Sequence, residues 1–191
     1  MAATGIAILA AGGSRRLGQP KQLIELRAEP LVRRVAALAA AVSGKEVAVV
    51  LGCEAERVRA ALDGIACTCL DNGAWQAGMA SSIHAAVRWA EARELSALML
   101  LVCDQTRLTQ AVLQQLWAAW AARPQLPAAA AYADTLGIPA IFPRDYYPAL
   151  LSLQGDRGAA KLLRGTDVST LAWPEGVYDV DTPSDLEHLT E

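Results

Sequence analysis

A run of small residues followed by cations, near the start of the chain, has the residue types of a phosphate site. An apolar segment over residues 6–10 breaks into Ala-Gly-Gly-Ser over 11–14, where small side chains let a polar group approach the backbone. Successive peptide N–H groups in such a turn can form a concave nest for anions. Three cations follow closely, at Arg15, Arg16 and Lys21. The pattern predicts phosphate binding here, and the alternative is a surface turn with solvated basic side chains.

Two common phosphate and dinucleotide signatures are absent from this loop. Gly13 and Gly18 have the spacing of a P-loop, but Gln19 and Pro20 stand where that loop requires Lys and Ser or Thr. The Rossmann fingerprint GxGxxG does not occur at this turn either. The chemistry must therefore be inferred from a wider part of the chain.

Aspartates after apolar segments offer oxygen ligands for a hard cation. Asp104 follows the apolar run over 95–103, and Mg²⁺ takes one or two carboxylates together with substrate phosphates. Helix capping is a weaker explanation for Asp104, because Thr109 suits that role better. Asp179 and Asp181 alternate near the C-terminus, so we expect them on one face of a short strand. Two surface carboxylates before a helix are the alternative for that pair.

The apolar periodicity predicts an α/β fold that brings these residues together. Near-continuous apolar runs alternate with helical patterns, which is typical of a three-layer, mostly parallel Rossmann-like sheet with helices on both faces. The predicted strands cover 6–10, 46–51, 65–70, 95–103 and 128–132, a small β-ribbon covers 137–143, and the predicted helices cover 30–42, 54–62 and 109–122. A further helix, capped by Ser81 or Ser82, runs to residue 93. Ligands of such sheets bind beyond the carboxyl ends of the strands.

The composition narrows the class of protein. The 191 residues are 53% hydrophobic and 19% charged with a formal net charge of −3, which indicates one globular domain over 1–191 and no nucleic-acid surface. We find no signal-peptide pattern and no apolar stretch near the ~18 residues that span a membrane, so we expect a cytoplasmic protein with no membrane partner. Cys53, Cys67, Cys69 and Cys103 are expected to be buried structural thiols rather than zinc ligands or disulfides.

A long ordered string over residues 9–23, LAAGGSRRLGQPKQL, resembles the signature LAAGxSxRMGxPKxLL of the small nucleotidyltransferases with a GT-A-like fold. Within that MobA-like group, the chain is most similar to the molybdenum cofactor cytidylyltransferases. Further segments of the chain match this family's motifs: N..W..G...S at Asn72, Trp75, Gly78 and Ser82, DQP at 104–106, LxxLxGDxGAR at 150–160 and DIDTPxDL at 179–186.

The resemblance implies that CMP is transferred from CTP to a molybdopterin-type cofactor with Mg²⁺ and release of pyrophosphate. It implies a nucleotide site formed by two loops: Leu9, Ala10, Ala11, Gly12, Gly13, Ser14, Lys21, Asn72, Gly78 and Ser82. Arg16 and Lys21 would neutralise charge at the reacting phosphates, and Asp104 and Asp181 would hold the metal. The pterin side is implied at a third loop, formed by Gly155, Asp156 and Arg157. A client molybdoenzyme is a further implied partner.

Leu17 stands in place of the methionine of the first signature, a change of little chemical weight, and three further positions depart from the family pattern. Thr106 replaces a proline, and Ile138 replaces the histidine of a Gly-His-Pro segment. Ala160 replaces an arginine, for which Arg157 or Lys161 is the candidate substitute. We assign Ile138 no chemical role, because the imidazole is missing.

Other functions stay open at this point. One is guanylyl or other nucleotidyl transfer to a different small phosphorylated acceptor. Another is a protein that binds the finished cofactor and delivers it to a molybdoenzyme, which would bind cofactor without releasing pyrophosphate. Cytidine is favoured over guanosine by the Leu-Ala-Ala-Gly form of the first loop and by the Pro20–Lys21 pair. The guanylyl relatives have a first loop that looks more like Leu-Ala-Gly-Gly, and their lysine stands in a different sequence context.

Overall fold

A seven-stranded sheet organises the part of the chain that the structure, a computed structural model, describes: residues 3–14, 16–42, 44–165 and 167–187. The strands are β1 (Thr4–Ala10), β2 (Glu25–Leu26), β3 (Glu29–Pro30), β4 (Lys45–Leu51), β5 (Thr68–Asp71), β6 (Ala97–Val102), β7 (Ala128–Tyr132), β8 (Thr135–Pro143) and β9 (Ser169–Ala172). The helices are α1 (Leu31–Ala40), α2 (Ala55–Ala61), α3 (Met79–Ala92), α4 (Gln110–Ala121), α5 (Tyr147–Leu151) and α6 (Pro183–Glu187).

The strand order is β5-β4-β1-β6-β8-β7-β9, and β2 and β3 form a separate two-stranded ribbon. Parallel pairs join β5 to β4, β4 to β1, β1 to β6 and β7 to β9. Strand β8 pairs antiparallel with both β6 and β7. The predicted α/β fold with a mostly parallel sheet is confirmed.

Helices cover both faces of the sheet because β1 is apolar on both of its sides. Ile6 and Ile8 face a core that contains residues of α1, α2 and α4. Ala7 and Leu9 face a second core that contains residues of α3 and α5. Successive side chains of β1 therefore pack into the cores on opposite faces of the sheet. Because both faces are buried, the first strand is a continuous apolar run in the sequence.

Several element boundaries differ from the sequence prediction. The third predicted strand begins only at Thr68, and the segment over 137–143 belongs to β8, which joins the central sheet. Strand β9 was not predicted. The strand predicted around Asp179 and Asp181 is wrong, because that segment has no regular structure. It is held to the residues after β6 by isolated backbone hydrogen bonds instead of a ladder.

Helix capping is predicted correctly at one helix and wrongly at another. Thr109 precedes α4, and its hydroxyl accepts a hydrogen bond from the Val112 N–H at 3.3 Å. Helix α3 begins at Met79 after Gly78, so Ser81 and Ser82 lie in its first turn and do not cap it.

The thiols are less buried than predicted. Cys103 is buried, and burial raises the pKa of its thiol to about 12. Cys53, Cys67 and Cys69 are only partly buried, and all four cysteines are free. Burial raises the pKa of Cys67 to about 11, and the neighbouring Cys69 adds to the rise. Cys67 also lies just before β5 rather than within it.

The topology brings the ends of the central strands together. Ala10 at the end of β1 pairs with Leu51 at the end of β4, and Leu9 pairs with Val102 at the end of β6. The loops that follow these strands therefore leave the sheet at one edge. Among the described residues, no helix is both long enough and apolar enough to cross a bilayer.

Candidate active site

A cleft of about 480 Å³ opens at the carboxyl ends of β1 and β6. It is lined by twelve of the sixteen site residues that the family resemblance implies: Leu9, Ala11, Gly12, Gly13, Ser14, Arg16, Lys21, Gly78, Ser82, Asp104, Asp156 and Asp181. Four others do not line it: Ala10, Asn72, Gly155 and Arg157. Arg15 lies outside the described residues. Residues separated by more than a hundred positions thus share one cavity.

The ammonium of Lys21 lies between two carboxylates at the floor of this cleft. Lys21 Nζ is 2.5 Å from Asp104 Oδ2 and 2.7 Å from Asp181 Oδ1. Only 21% of the Lys21 side chain and 13% of the Asp104 side chain are exposed, against 44% for Asp181. Burial alone would lower the pKa of Lys21, but the charges and hydrogen bonds of the two aspartates outweigh it and raise the pKa above the ordinary lysine value. Lys21 therefore stays a cation throughout the neutral range.

Arg16 lies at the edge of the same cluster. Its guanidinium Nη1 is 3.7 Å from Asp181 Oδ2, and 81% of its side chain is exposed. A long exposed arginine at this distance has a weak ion pair and is free to turn toward another anion.

A short turn fixes the backbone of Lys21. Lys21–Leu23 form one 3-10 turn after Pro20, and the Lys21 N–H donates to the Ser14 hydroxyl at 3.0 Å. Ser14 adopts a left-handed backbone with φ of 47°, and its carbonyl accepts from Leu17 and Gly18. We call residues 10–14 the glycine loop. The hydrogen bond to the Ser14 side chain therefore connects this loop to Lys21.

The peptide groups of the glycine loop are oriented in one sense. The carbonyls of Ala10 and Gly12 accept hydrogen bonds from Gln22 Nε2 at 2.8 and 2.7 Å, and the Ala11 carbonyl accepts from the Cys53 N–H at 3.0 Å. Among the described residues, no acceptor is found for the N–H groups of residues 12–14. The loop thus presents unpaired donors next to the cleft, which is the arrangement that binds anions.

Close packing brings a second loop against the first. A Cβ added at Gly13 would lie 3.1 Å from the Trp75 ring, and one added at Gly52 would lie 2.6 Å from the Ala11 carbonyl oxygen. Only glycine fits at position 52 without movement of the backbone. The Trp75 ring therefore forms one wall of the cleft, a role that the N..W..G...S match did not specify.

Asn72 positions the start of α3. Its side chain is buried, and Nδ2 donates to the hydroxyls of Ser81 and Ser82 at 2.9 and 3.1 Å. Its Oδ1 accepts from the Ala74 N–H at 3.1 Å. Asn72 is thus a scaffold for the loop, whereas Ser82 reaches the cleft.

The segment over 154–158 packs on the N-terminus of α3. The Gly155 carbonyl accepts a hydrogen bond from the Ala80 N–H at 3.0 Å, so this helix end is partly occupied by protein. Gly78 has φ of 101°, and a Cβ there would overlap Gly155 and Asp156. Asp156 lines the cleft, whereas Arg157 is exposed and is not one of the lining residues.

Two backbone hydrogen bonds bring Asp181 beside Asp104. The Val180 N–H donates to the Asp104 carbonyl at 3.2 Å, and the Thr106 N–H donates to the Tyr178 carbonyl at 3.1 Å. A proline at position 106, as in the family pattern, would lack that second donor. The Asp185 carboxylate accepts from the N–H groups of Asp181 and of Thr182, which resembles a capping box at the start of α6.

Ile138 lies behind the site. Its carbonyl accepts from Gln105 Nε2 at 2.8 Å and from the Tyr132 hydroxyl at 3.0 Å. Ile138 is not among the residues that line the cleft. Gln22 and Gln105 are both buried polar residues to which the sequence analysis assigned no role. Gln22 stands at an unspecified position of the first signature, and Gln105 belongs to the DQP match, which does not indicate what its side chain contacts.

The donor set fits a hard divalent ion that shares its coordination sphere with a ligand. Within the described residues, no three His, Cys, Asp or Glu side chains cluster as a metal cage would require. The carboxylates of Asp104 and Asp181 both contact the Lys21 ammonium, so they are close enough to each other to bind one metal ion together. Two carboxylates completed by phosphate oxygens are the usual sphere of Mg²⁺.

Comparison with known proteins gives a family and a fold. A family model described as "MobA-like NTP transferase domain" matches residues 6–171. The structure of an rv0371c homologue from Mycobacterium sp. strain JC1 is 30% identical over 97% of this chain and 94% of that chain, with a TM-score of 0.80. Rv0371c from Mycobacterium tuberculosis is 31% identical over 99% and 98%, with a TM-score of 0.76. Rv0371c is also described in complex with manganese, in a structure 28% identical to this chain over 99% and 98% with a TM-score of 0.74. A search of curated proteins finds no match.

Asp179 generates a testable prediction about stability. Burial raises the pKa of its carboxyl, and the nearby charges of Asp104 and Asp181 add to the rise. A raised pKa means that the folded protein holds this proton more tightly than the unfolded chain does, so the ionised carboxylate destabilises the fold at neutral pH. Without metal or nucleotide, Asp179→Asn should therefore raise the free energy of unfolding at about pH 7. The gain should shrink as the pH falls toward the ordinary value of 3.8.

Denaturant titration at about pH 7 and about pH 4, with a chelator present, measures this difference. Asp63→Asn is the matched control, because Asp63 is an exposed aspartate in the turn after α2. An equal effect of both substitutions, or a loss of stability in Asp179→Asn at neutral pH, would contradict the crowding of Asp179 by the other two aspartates.

Proposed function

The chain belongs to the MobA-like NTP transferase family, and we propose that the group it transfers is CMP, taken from CTP and joined to the phosphate of a molybdopterin-type cofactor. The family makes the chain a nucleotidyltransferase. The observation that best supports the proposed site is the Lys21 ammonium held between Asp104 and Asp181, in the cleft that is also lined by the glycine loop, whose N–H groups at 12–14 have no acceptor among the residues that the structure describes.

The proposed reaction joins negatively charged groups. A phosphate oxygen of the acceptor attacks the α-phosphorus of CTP, the bond from that phosphorus to the bridging oxygen breaks, and pyrophosphate leaves with the electron pair. Because a phosphate nucleophile is already ionised at neutral pH, no dedicated general base is needed. Catalysis of such a step is mostly positioning and charge neutralisation.

The loop residues fit the binding of the triphosphate. Gly12, Gly13 and Ser14 offer their peptide N–H groups, and Ser82 and Gly78 line the facing wall of the cleft. Arg16 is exposed and lines the cleft, so its guanidinium would pair with a phosphate, and Lys21 is a permanent cation at the cleft floor. Together they would offset the charge that grows on the leaving pyrophosphate.

Asp104 and Asp181 would hold a divalent ion, which we propose is Mg²⁺. When bound, such an ion supplies positive charge that stabilises the phosphates during transfer. The manganese complex of Rv0371c supports a divalent ion in a protein of this family. Asp179 is the less favoured ligand, because Lys21 contacts Asp181 and Asp104 rather than Asp179.

The choice of base and acceptor rests on the resemblance. The Leu-Ala-Ala-Gly form of the loop over 9–12 and the Pro20–Lys21 pair favour CTP. The acceptor would approach past the segment over 155–157, of which Asp156 lines the cleft. Arg157 and Lys161 are both exposed, so either can reach an anionic acceptor. A client molybdoenzyme would receive the product.

Pyrophosphate release tests the reaction and the base together. The purified protein is incubated with Mg²⁺, molybdenum-loaded pterin cofactor and one nucleotide at a time: CTP, GTP, ATP or UTP. We expect release with CTP alone and only when cofactor is present. Release with GTP instead would overturn the base assignment but keep the reaction. Cofactor binding without pyrophosphate release from any nucleotide would favour a delivery protein. Pyrophosphate release only with another phosphorylated acceptor would overturn the assignment of the molybdopterin-type cofactor as the acceptor.

Lys21→Ala tests the role of the central cation. If Lys21 stabilises the transition state, its loss should lower the rate of pyrophosphate release at least ~10²-fold. Lys45→Ala is the matched control, because Lys45 Nζ contacts the Thr4 hydroxyl and the Trp117 ring at the opposite end of β1. Steady-state rates of both folded variants measure the effect. Equal rates for Lys21→Ala and the wild type would remove Lys21 from the reaction.

A further inference from the structure

Gln22 is the most buried polar side chain next to the cleft. Only 1% of the residue is exposed, although it follows the cationic Lys21 in a short surface turn. Its Nε2 donates to two carbonyls of the glycine loop, those of Ala10 at 2.8 Å and Gly12 at 2.7 Å. We propose that Gln22 is a positioning residue that orients the glycine loop for the nucleotide phosphates, an inference that rests on the proposed function.

The two contacts determine which way the amide faces. Both partners are carbonyl oxygens, which only accept hydrogen bonds. An amide oxygen in the place of Nε2 would meet the two oxygens of Ala10 and Gly12 without a proton between them. The NH₂ group of Gln22 must therefore face the loop, and each of its two protons serves one carbonyl.

Orientation of these carbonyls decides what the loop presents to the cleft. A peptide group that turns its oxygen toward the protein turns the next N–H the other way, because the two point in opposite directions across a trans peptide plane. The Gly12 carbonyl held by Gln22 thus directs the Gly13 N–H away from Gln22. Without that bond, the oxygen of Gly12 would be free to turn into the cleft and repel a phosphate.

Gln22 acts on this loop together with its neighbours in the chain. The Lys21 N–H donates to the Ser14 hydroxyl, and the Cys53 N–H donates to the Ala11 carbonyl. The carbonyls of three consecutive loop residues are therefore all engaged by protein donors, while the N–H groups of residues 12–14 have no acceptor among the described residues. Gln22 supplies two of these three hydrogen bonds. They come from its side chain and can be removed by substitution, whereas the third comes from the backbone N–H of Cys53.

Binding of CTP and of inorganic pyrophosphate to three variants tests this role by calorimetry with Mg²⁺ present. Gln22→Met keeps the length of the side chain but removes the donors. Gln22→Asn keeps an amide that is one methylene too short to hold both carbonyls. Gln105→Met is the matched control, because Gln105 is 4% exposed, donates to the Ile138 carbonyl, and does not line the cleft. Unfolding midpoints report the stability lost in each variant.

We expect Gln22→Met to raise the Kd for both ligands at least about tenfold and the KM for CTP in parallel, since one buried and one partly buried hydrogen bond are lost. Gln22→Asn should weaken binding in the same direction, and it decides the question if Gln22→Met does not fold. Gln105→Met should lower the unfolding midpoint without changing either Kd. Wild-type affinity in the Gln22 variants, or an equal loss of affinity in Gln105→Met, would overturn the proposal alone. Absence of CTP and pyrophosphate binding in the wild type would overturn it together with the proposed function.

Discussion

A lysine ammonium shared by two carboxylates is the interaction on which the rest of the site depends. Asp104 is largely removed from water, and a buried carboxylate without a partner would be strongly destabilising. Lys21 supplies that partner and also contacts Asp181, so one cation partly offsets two carboxylates at the end of the central strand β6. Because both carboxylates are already arranged around one cation, they can face a divalent ion when a triphosphate offers Lys21 another anion.

The glycine loop complements this charge cluster from the other side of the cleft. Its carbonyls are held by Gln22 and Cys53, and its N–H groups at 12–14 have no acceptor within the described part of the chain. Fixed donors of this kind need no reorganisation when an anion arrives, which is how an enzyme stabilises charge that develops during a reaction. The cleft thus combines an exposed cation at Arg16, a largely buried cation at Lys21 and a loop whose carbonyls are held by protein donors.

The parts of the site that follow long apolar strands could be predicted from the sequence. The parts that depend on single hydrogen bonds or on the burial of one polar side chain could not. The sheet and the position of Asp104 follow from apolar runs that must be buried. The strand at Asp181 was predicted wrongly because isolated hydrogen bonds, not a ladder, hold that segment. The capping role of Ser81 and Ser82 was predicted wrongly because Asn72 binds both hydroxyls instead. Gln22 was missed because burial of one polar side chain in a loop leaves no periodic signal.

Binding of Mn²⁺ tests most directly whether Asp104 and Asp181 form the metal and phosphate site. Water-proton relaxation rises when Mn²⁺ is held on a slowly tumbling protein, so it reports binding without turnover. With CTP present, the wild type should give a large enhancement, and so should Asp179→Asn, which changes the neighbouring carboxylate. The double variant Asp104→Asn, Asp181→Asn should give only the signal of Mn²⁺ and CTP without protein. An enhancement in that variant equal to the wild type would contradict the assignment of these two aspartates.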